Sequence, residues 1–476
     1  MHPLDWKSTP EEVLAHWPPD TPLAAAVTAA PDARWGRTTV LAAPSRLVQA
    51  HDAAAALRAL DELERGTWIA CLAYELGGVF EPRALPRARG TPDGWPLVTM
   101  AACEARLEHD HASGRWRASD AALPPVDVWP LVTLVRCDAR LEHDHATGRW
   151  HATDAARPLA EMLAQRIARG ERAAAGATVT ALEPDITRAD FERMVAEAVS
   201  LIHAGDVFQA NVAQRFSARW QGARRAVMRA AFRAARPRYG AWIEAPAHAL
   251  ASMSPELFLE VDRATGRAVT RPVKGTRPAH EAPGALAASE KDAAELHMIV
   301  DLMRNDLGRV AAPGSVRVDL ARAIESHETV LHGVAEVSAT LRPDTGPAEL
   351  LRATFPPGSV TGAPKVRAMQ VIDALEPSPR GPYCGAVGLI SPGRIALNVA
   401  IRTIALSGSS PAGGTLRYSA GCGIVADSVP RAEYEESLHK SAVLLRTAHA
   451  LSATAATRAS APPTPPATPP SAGARG

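Results

Sequence analysis

The sequence predicts a mixed α/β protein, and three stretches carry that expectation. Residues 187–205 repeat apolar side chains at helical spacing (Phe191, Val195, Ala198, Ile202) and end at Gly205, a suitable helix stop. Ser289 opens a second amphipathic helix, with Asp292 at the capping-box position and an apolar stripe of Leu296, Ile299, Val300, Met303 and Leu307. Residues 207–216 alternate like a strand, with Phe208, Val212 and Phe216 on an expected core face and Gln209, Asn211 and Arg215 on the other.

Along the chain, residues 1–180 form a Pro-rich N-terminal region that is chemically quiet but internally repeated. The pattern Trp95-Pro-Leu-Val-Thr to Gly114-Arg-Trp116 recurs at Trp129 to Trp150, which predicts a duplicated hairpin over 95–124 and 129–158. His109, His111, His143 and His145 beside its turns are expected to be solvated polar sequence rather than a metal site. Residues 187–450 alternate strands and helices and form the core. The segment 452–476, with Ala-Pro-Pro-Thr-Pro-Pro, is expected to be disordered.

Composition removes several classes of function. With 46% apolar and 22% charged residues, the chain has an ordinary globular balance. A net charge of +1 without a basic stripe gives no support for nucleic acid as a partner. The five cysteines (Cys71, Cys103, Cys137, Cys384, Cys422) are odd in number and lack CxxC spacing, which argues against a disulfide framework or zinc site and fits a reducing cytoplasm. Neither a signal peptide nor a membrane span is expected.

Lysine is scarce: of 52 basic residues only Lys7, Lys274, Lys291, Lys365 and Lys440 are Lys. An amine can lose its proton and attack carbon, which a guanidinium effectively cannot. Lys274 sits where the strand-like run 268–270 breaks into a Pro/Gly turn, a position that presents a side chain to a cleft. Asp292 and Glu295 share one helix face, as do Glu433, Glu436 and Lys440 on another helix. Opposed carboxylates of this kind suit Mg²⁺. Three features suit a small anion: the loop 355–364 before a helix from about Lys365 to Leu375, the Gly421-Cys-Gly-Ile-Val run, and Arg402 in the strand-like segment 397–403. The glycine patterns match neither a dinucleotide fingerprint nor a P-loop. Read alone, Lys274 equally fits a turn lysine, while the carboxylates fit solvated helix faces and the glycine runs ordinary turns better than a site.

Together and in this order, the motifs resemble the chorismate-utilising enzymes: the anthranilate synthase large subunit, isochorismate and salicylate synthases, and aminodeoxychorismate synthase component I. The matching stretches are Gly205-Asp-Val-Phe-Gln-Ala-Asn211, Ser252-Met-Ser-Pro-Glu-Leu257, Arg271-Pro-Val-Lys-Gly-Thr276, Glu295 through Gly308, Pro357 through Lys365, Ala400-Ile-Arg402, and Gly421 through Lys440. They cover roughly 187–447; the N-terminal third matches loosely, at Ala73-Tyr-Glu-Leu-Gly77. The resemblance implies two large antiparallel sheets packed as a sandwich, flanked by helices, with the active site between them.

Within the family, position 274 is usually Ala in anthranilate and isochorismate synthases and Lys in the aminodeoxychorismate branch. The Lys here implies conversion of chorismate and ammonia to 4-amino-4-deoxychorismate, on the way to 4-aminobenzoate and folate. Anthranilate synthase component I is the alternative, and a non-catalytic chorismate-binding paralogue a further one. No clear Leu-Leu-Glu-Ser element, associated with tryptophan feedback, stands in the N-terminal region.

The roles carried over are Lys274 as nucleophile and Glu256 as general acid. Mg²⁺ falls to Glu295 and Glu436, with Asp292 and Glu433 direct or through water; Asp292 replaces a more usual Glu. Substrate contacts fall to Gln209, Asn211, Thr276, His327, Thr361, Tyr383, Arg402, Gly421, Gly423 and Lys440. No glutaminase nucleophile is visible, since neither Cys384 nor Cys422 sits in a nucleophile elbow. Ammonia is therefore expected from a separate glutamine amidotransferase subunit.

Overall fold

The computed structural model describes residues 1–28, 38–85, 105–110, 115–118, 129–172, 176–278, 282–326 and 330–459. Its strands form two antiparallel sheets, one of thirteen strands and one of twelve. The period-2 alternation of each strand builds the layers. In Trp68–Leu72 of the second sheet, Ile69 and Cys71 face inward while Trp68, Ala70 and Leu72 face helices. In His248–Ser254 of the first sheet, Leu250 faces inward and Ala249, Ala251 and Met253 face outward. The inward faces meet in one buried cluster rich in small residues (Ala24, Ala42, Ala241, Ala405), so the sheets pack face to face as the sandwich expected. Helices cover both outer faces.

The helix over 187–205 is found as Arg188–His203, capped by Thr187, and Ser289 caps Glu290–Gly308 as expected, accepting from Asp292 N at 3.3 Å. The apolar stripe of that second helix is buried from Leu296 to Leu307. The helix after the 355–364 loop is Lys365–Leu375.

The N-terminal region contributes to both sheets: Ala24–Val27 pairs with Tyr239–Glu244 in the first, and Trp68–Leu72 pairs with Ala386–Ile390 in the second. Three expectations change. Phe208 is not core but 72% exposed; the strand begins at Gln209, so alternation does not set the direction of Phe208. The final helix, Pro430–Ala459, runs into the segment expected to be disordered from 452, because an Ala-rich run of high helix propensity precedes the first Pro-Pro. Residues 460–476 lie outside the described residues. His143 is not solvated but 8% exposed, its ring tilted against Trp150 with the centres 4.9 Å apart, while His145 pairs with Thr39 at 2.9 Å. Its strand, Ala139–Asp144, is interior to the first sheet, which buries one face.

The duplicated hairpin is present. Ala105–Asp110 and Arg115–Ala118 pair with His109 opposite Trp116; Ala139–Asp144 and Arg149–Ala152 pair with His143 opposite Trp150. The copies share one register but join different sheets, the first at an edge of the second sheet and the second in the first. His111 and the side chain of His109 fall outside the described residues. The described cysteines are all buried and free, and no described helix is long and apolar enough to cross a membrane.

Candidate active site

Two of the places where the chain passes between the sheets are adjacent. Residues 255–256 link His248–Ser254 of the first sheet to Leu257–Asp262 of the second, and residues 400–402 return from Arg394–Val399 to Thr403–Ser409. The two crossings are tied together: Val399 N–H donates to Glu256 O at 3.1 Å, and Met253 N–H donates to Arg402 O at 3.0 Å. Glu256 and Arg402 therefore stand side by side where the sheets part. Arg402 was expected inside a strand; it lies instead in this break, at φ 50°, a left-handed conformation that a non-glycine residue adopts under strain.

Both line a cavity of about 720 Å³, together with Lys274, Asn211 and Tyr383. The same cavity is lined by Glu295 and Asp292 from one helix, and by Glu433, Glu436 and Lys440 from the other. Gly421 and Gly423 complete it. Twelve of the sequence-predicted residues thus meet around one space.

Lys274 enters on the strand Val273–Pro278, and its amine reaches Gly423: a Cβ added there would lie 3.0 Å from Lys274 Nζ and 2.2 Å from Gln209 Nε2. Burial pushes the Lys274 pKa down, the Lys440 charge adds to that, and Glu295, Glu256 and Glu436 oppose it; the net is a lowered value. Glu256 is 3% exposed, and burial raises its carboxyl to about 7, against the pull of a Ser359 hydrogen bond and the Lys274 charge. A depressed amine beside an elevated acid is the pairing that nucleophilic attack with proton donation needs.

The two glycines offer N–H groups to the cavity for a reason set by register. Asn211 N–H donates to Thr361 O, and Ala213 N–H to Glu376, both on the side of their strand away from Gly413–Ile424. Their partners in register are Gly423 and Gly421, so those N–H groups point away from this strand. The pairing of Gly413–Ile424 with Thr403–Ser409 has already ended at Tyr418, which leaves that side facing the cavity. Lys440 Nζ adds a donor at this end, bound to Gly421 O at 2.9 Å and Glu436 at 2.7 Å.

The acidic groups are hard oxygen donors facing one another. Burial raises the Glu295 pKa, Lys274 and Lys291 oppose it, and the charges of Asp292 and Glu433 raise it further. Burial would also raise Glu436, but the charge and hydrogen bond of Lys440, with Lys274 and Cys422, together hold that carboxyl low. Ligand atoms of Glu433 and Glu436 lie within 4.8 Å of each other and of Cys422 Sγ. This donor set fits a divalent cation. Asp292 fits less directly than expected, because Arg277 Nη2 holds its carboxylate at 3.0 Å.

Two of the expected contacts, Thr361 and Gln209, are not at the cavity. The Thr361 hydroxyl is fully buried and donates to Pro357 O and Gly358 O. The loop 355–363 is closed rather than an open anion cradle, with Val360 and Thr361 N–H groups used internally. Gln209 is 1% exposed and approaches the site only through Gly423. The backbone of Thr276 stands opposite His332, and its side chain lies outside the described residues. His327 lies outside the described residues. Ser359, two residues before Thr361, was missed; it lines the cavity and bonds Glu256. The loop motif signalled a contact but not which hydroxyl turned inward.

Residues 16–446 match the family model described as chorismate binding enzyme. The chain is 41% identical over 269 residues to aminodeoxychorismate synthase component 1 of Salmonella typhimurium, covering 55% of this chain and 58% of that protein. It is 36% identical over 401 residues to anthranilate synthase component 1 of Streptomyces coelicolor, covering 80% and 72%. The crystal structure of anthranilate synthase component I from Streptococcus pneumoniae superimposes with TM-score 0.66 at 25% identity, covering 86% of this chain and 92% of that one. The match thus spans little more than half the length of the Salmonella relative.

Proposed function

We propose that this chain, which belongs to the chorismate binding enzymes, acts as component I of an aminodeoxychorismate synthase, turning chorismate and ammonia into 4-amino-4-deoxychorismate and water. The observation that carries this reading is Lys274, with its lowered pKa, seated in the same cavity as the raised acid Glu256.

The neutral Lys274 amine attacks ring carbon 2; both ring double bonds shift, and the hydroxyl at carbon 4 leaves as water with the proton of Glu256. Ammonia then attacks carbon 4, both double bonds return, the lysine amine is expelled, and the surplus ammonia proton goes back to Glu256. Two displacements replace one difficult step. Gly421 and Gly423 N–H groups with Lys440 hold the ring carboxylate, and Arg402 with Tyr383 the enolpyruvyl carboxylate. Glu295 and Glu436, with Glu433 beside them, would hold a Mg²⁺ that neutralises the ring carboxylate, and Asp292 would act through water. Ammonia would come from a glutamine amidotransferase subunit.

The test is product analysis after incubation with chorismate, Mg²⁺ and ammonium. The 4-amino product should form and glutamine alone should not replace ammonium. Fluorescent anthranilate without the 4-amino product would move the assignment to anthranilate synthase component I. A mass increase on Lys274 during turnover would support the covalent step, and unchanged turnover in Lys274→Ala would exclude it.

A further inference from the structure

Arg380 lies just outside the cavity, 8% exposed, and makes four bonds from one guanidinium. It grips Glu376 at 2.9 Å through Nε and 2.6 Å through Nη2. Nη1 donates to Val360 O at 3.0 Å and Nη2 to Asn211 O at 2.7 Å. The guanidinium stands 4.6 Å from the centre of the Tyr74 ring and 5.7 Å from that of Tyr383. Asn211, Val360 and Tyr383 all line the cavity but belong to three separate segments. Val360 follows Ser359, which bonds Glu256. From behind, the Glu75 carboxylate accepts from Arg380 N at 2.7 Å and Gly381 N at 3.1 Å. Tyr74 and Glu75 belong to the one N-terminal motif that matched the family, so the N-terminal region supports the site through this residue.

We propose that Arg380 is a positioning residue for the site: its planar fork fixes the spacing between the strand of Asn211, the loop carrying Ser359, and Tyr383. A lysine, with one compact charge, cannot hold a carboxylate with two bonds and two carbonyls at once. The inference rests on the reading of the cavity as the chorismate site.

The molecule supplies its own control. Arg225 makes the same set of bonds elsewhere: two to Glu244, both at 2.6 Å, and one each to Pro18 O at 2.7 Å and Thr21 O at 2.6 Å. It does not line the cavity. Arg380→Lys and Arg225→Lys are compared for melting temperature, kcat and KM for chorismate, and the pH profile of kcat/KM. Both variants should melt lower. Only Arg380→Lys should lose kcat/KM by at least 10-fold beyond the control, with its alkaline limb moved to higher pH as Ser359 releases Glu256. Should Arg380→Lys fail to fold, Glu376→Gln, which keeps the acceptor shape without its charge, is read in the same way. Equal kinetic losses in the Arg380 or Glu376 variant and in Arg225→Lys, with no shift of the limb, would overturn the proposal. Absence of chorismate turnover in the unmodified chain would instead sink the functional reading on which it stands.

Discussion

Adding a single methyl group at Gly423 tests how tightly the reactive amine is seated. In Gly423→Ala the new Cβ would stand 3.0 Å from Lys274 Nζ and 2.2 Å from Gln209 Nε2. Gly423 has no left-handed φ, so the backbone accepts alanine and the effect is steric. Favourable contacts between such atoms need about 3.5 Å. The amine must therefore retreat by roughly 0.5 Å and the Gln209 amide by over ~1 Å. Gln209 is 1% exposed and has little room to move. Overpacking of this kind costs about 1–3 kcal/mol of stability. A misplacement near 1 Å costs on the order of 100-fold in rate. The expected loss in kcat is about 10- to 100-fold, equivalent to ~1.4–2.7 kcal/mol. The assay is steady-state formation of the 4-amino product, with the melting temperature and the fraction of Lys274 adduct measured in parallel. A lowered melting temperature with an unchanged kcat would show that Lys274 does not react from this seat.

Five further outcomes follow from the same geometry. Lys274→Arg keeps a long basic side chain but not a nucleophile, and should abolish adduct formation by intact mass. The pH profile of kcat/KM should be bell-shaped: Glu256 must hold its proton, so activity falls as pH rises through about 7, and Lys274 must lose its proton, so activity falls on the acid side. Glu256→Gln should remove the alkaline limb and cost about 10²–10⁴-fold in rate. Glu436→Gln should raise the Mg²⁺ concentration needed for half-maximal activity, read by titration; an unchanged requirement would exclude Glu436 as a ligand. Gly421→Ala, by contrast, puts its Cβ 2.4 Å from the backbone oxygen of Val212 and should lower the melting temperature itself.

Much of the fold was legible in the residues that repeat with a period. The stripe from Leu296 to Leu307 and the cap at Ser289 fixed one site helix almost to the residue, and the glycines and carboxylates of 421–440 fell where their spacing put them. What periodicity could not show was where the chain changes sheets. Arg402 reads as one more residue of an apolar strand, because nothing in 397–403 marks the break. Phe208 failed for a related reason: alternation has no authority one residue before the ladder begins. Thr361 and Ser359 are chemically alike, and which one faces the substrate depends on a closed loop held from outside by Arg380. Arg380 itself carried no signal: Glu376, four residues before it, reads as an ordinary local ion pair, and the carbonyls of Val360 and Asn211 lie in other segments of the chain.

The paired crossings have a consequence for how the site can be watched. Glu256 and Arg402 belong to neither sheet, so their separation from Lys274 records the alignment of one sheet against the other. The amides that close the crossings, Val399 and Met253, are backbone N–H groups whose exchange with solvent deuterium is measurable without substrate. Slow exchange at both would mean the acid and the arginine are held ready before chorismate arrives. Fast exchange that slows on binding would mean the ligand itself brings the two sheets into register.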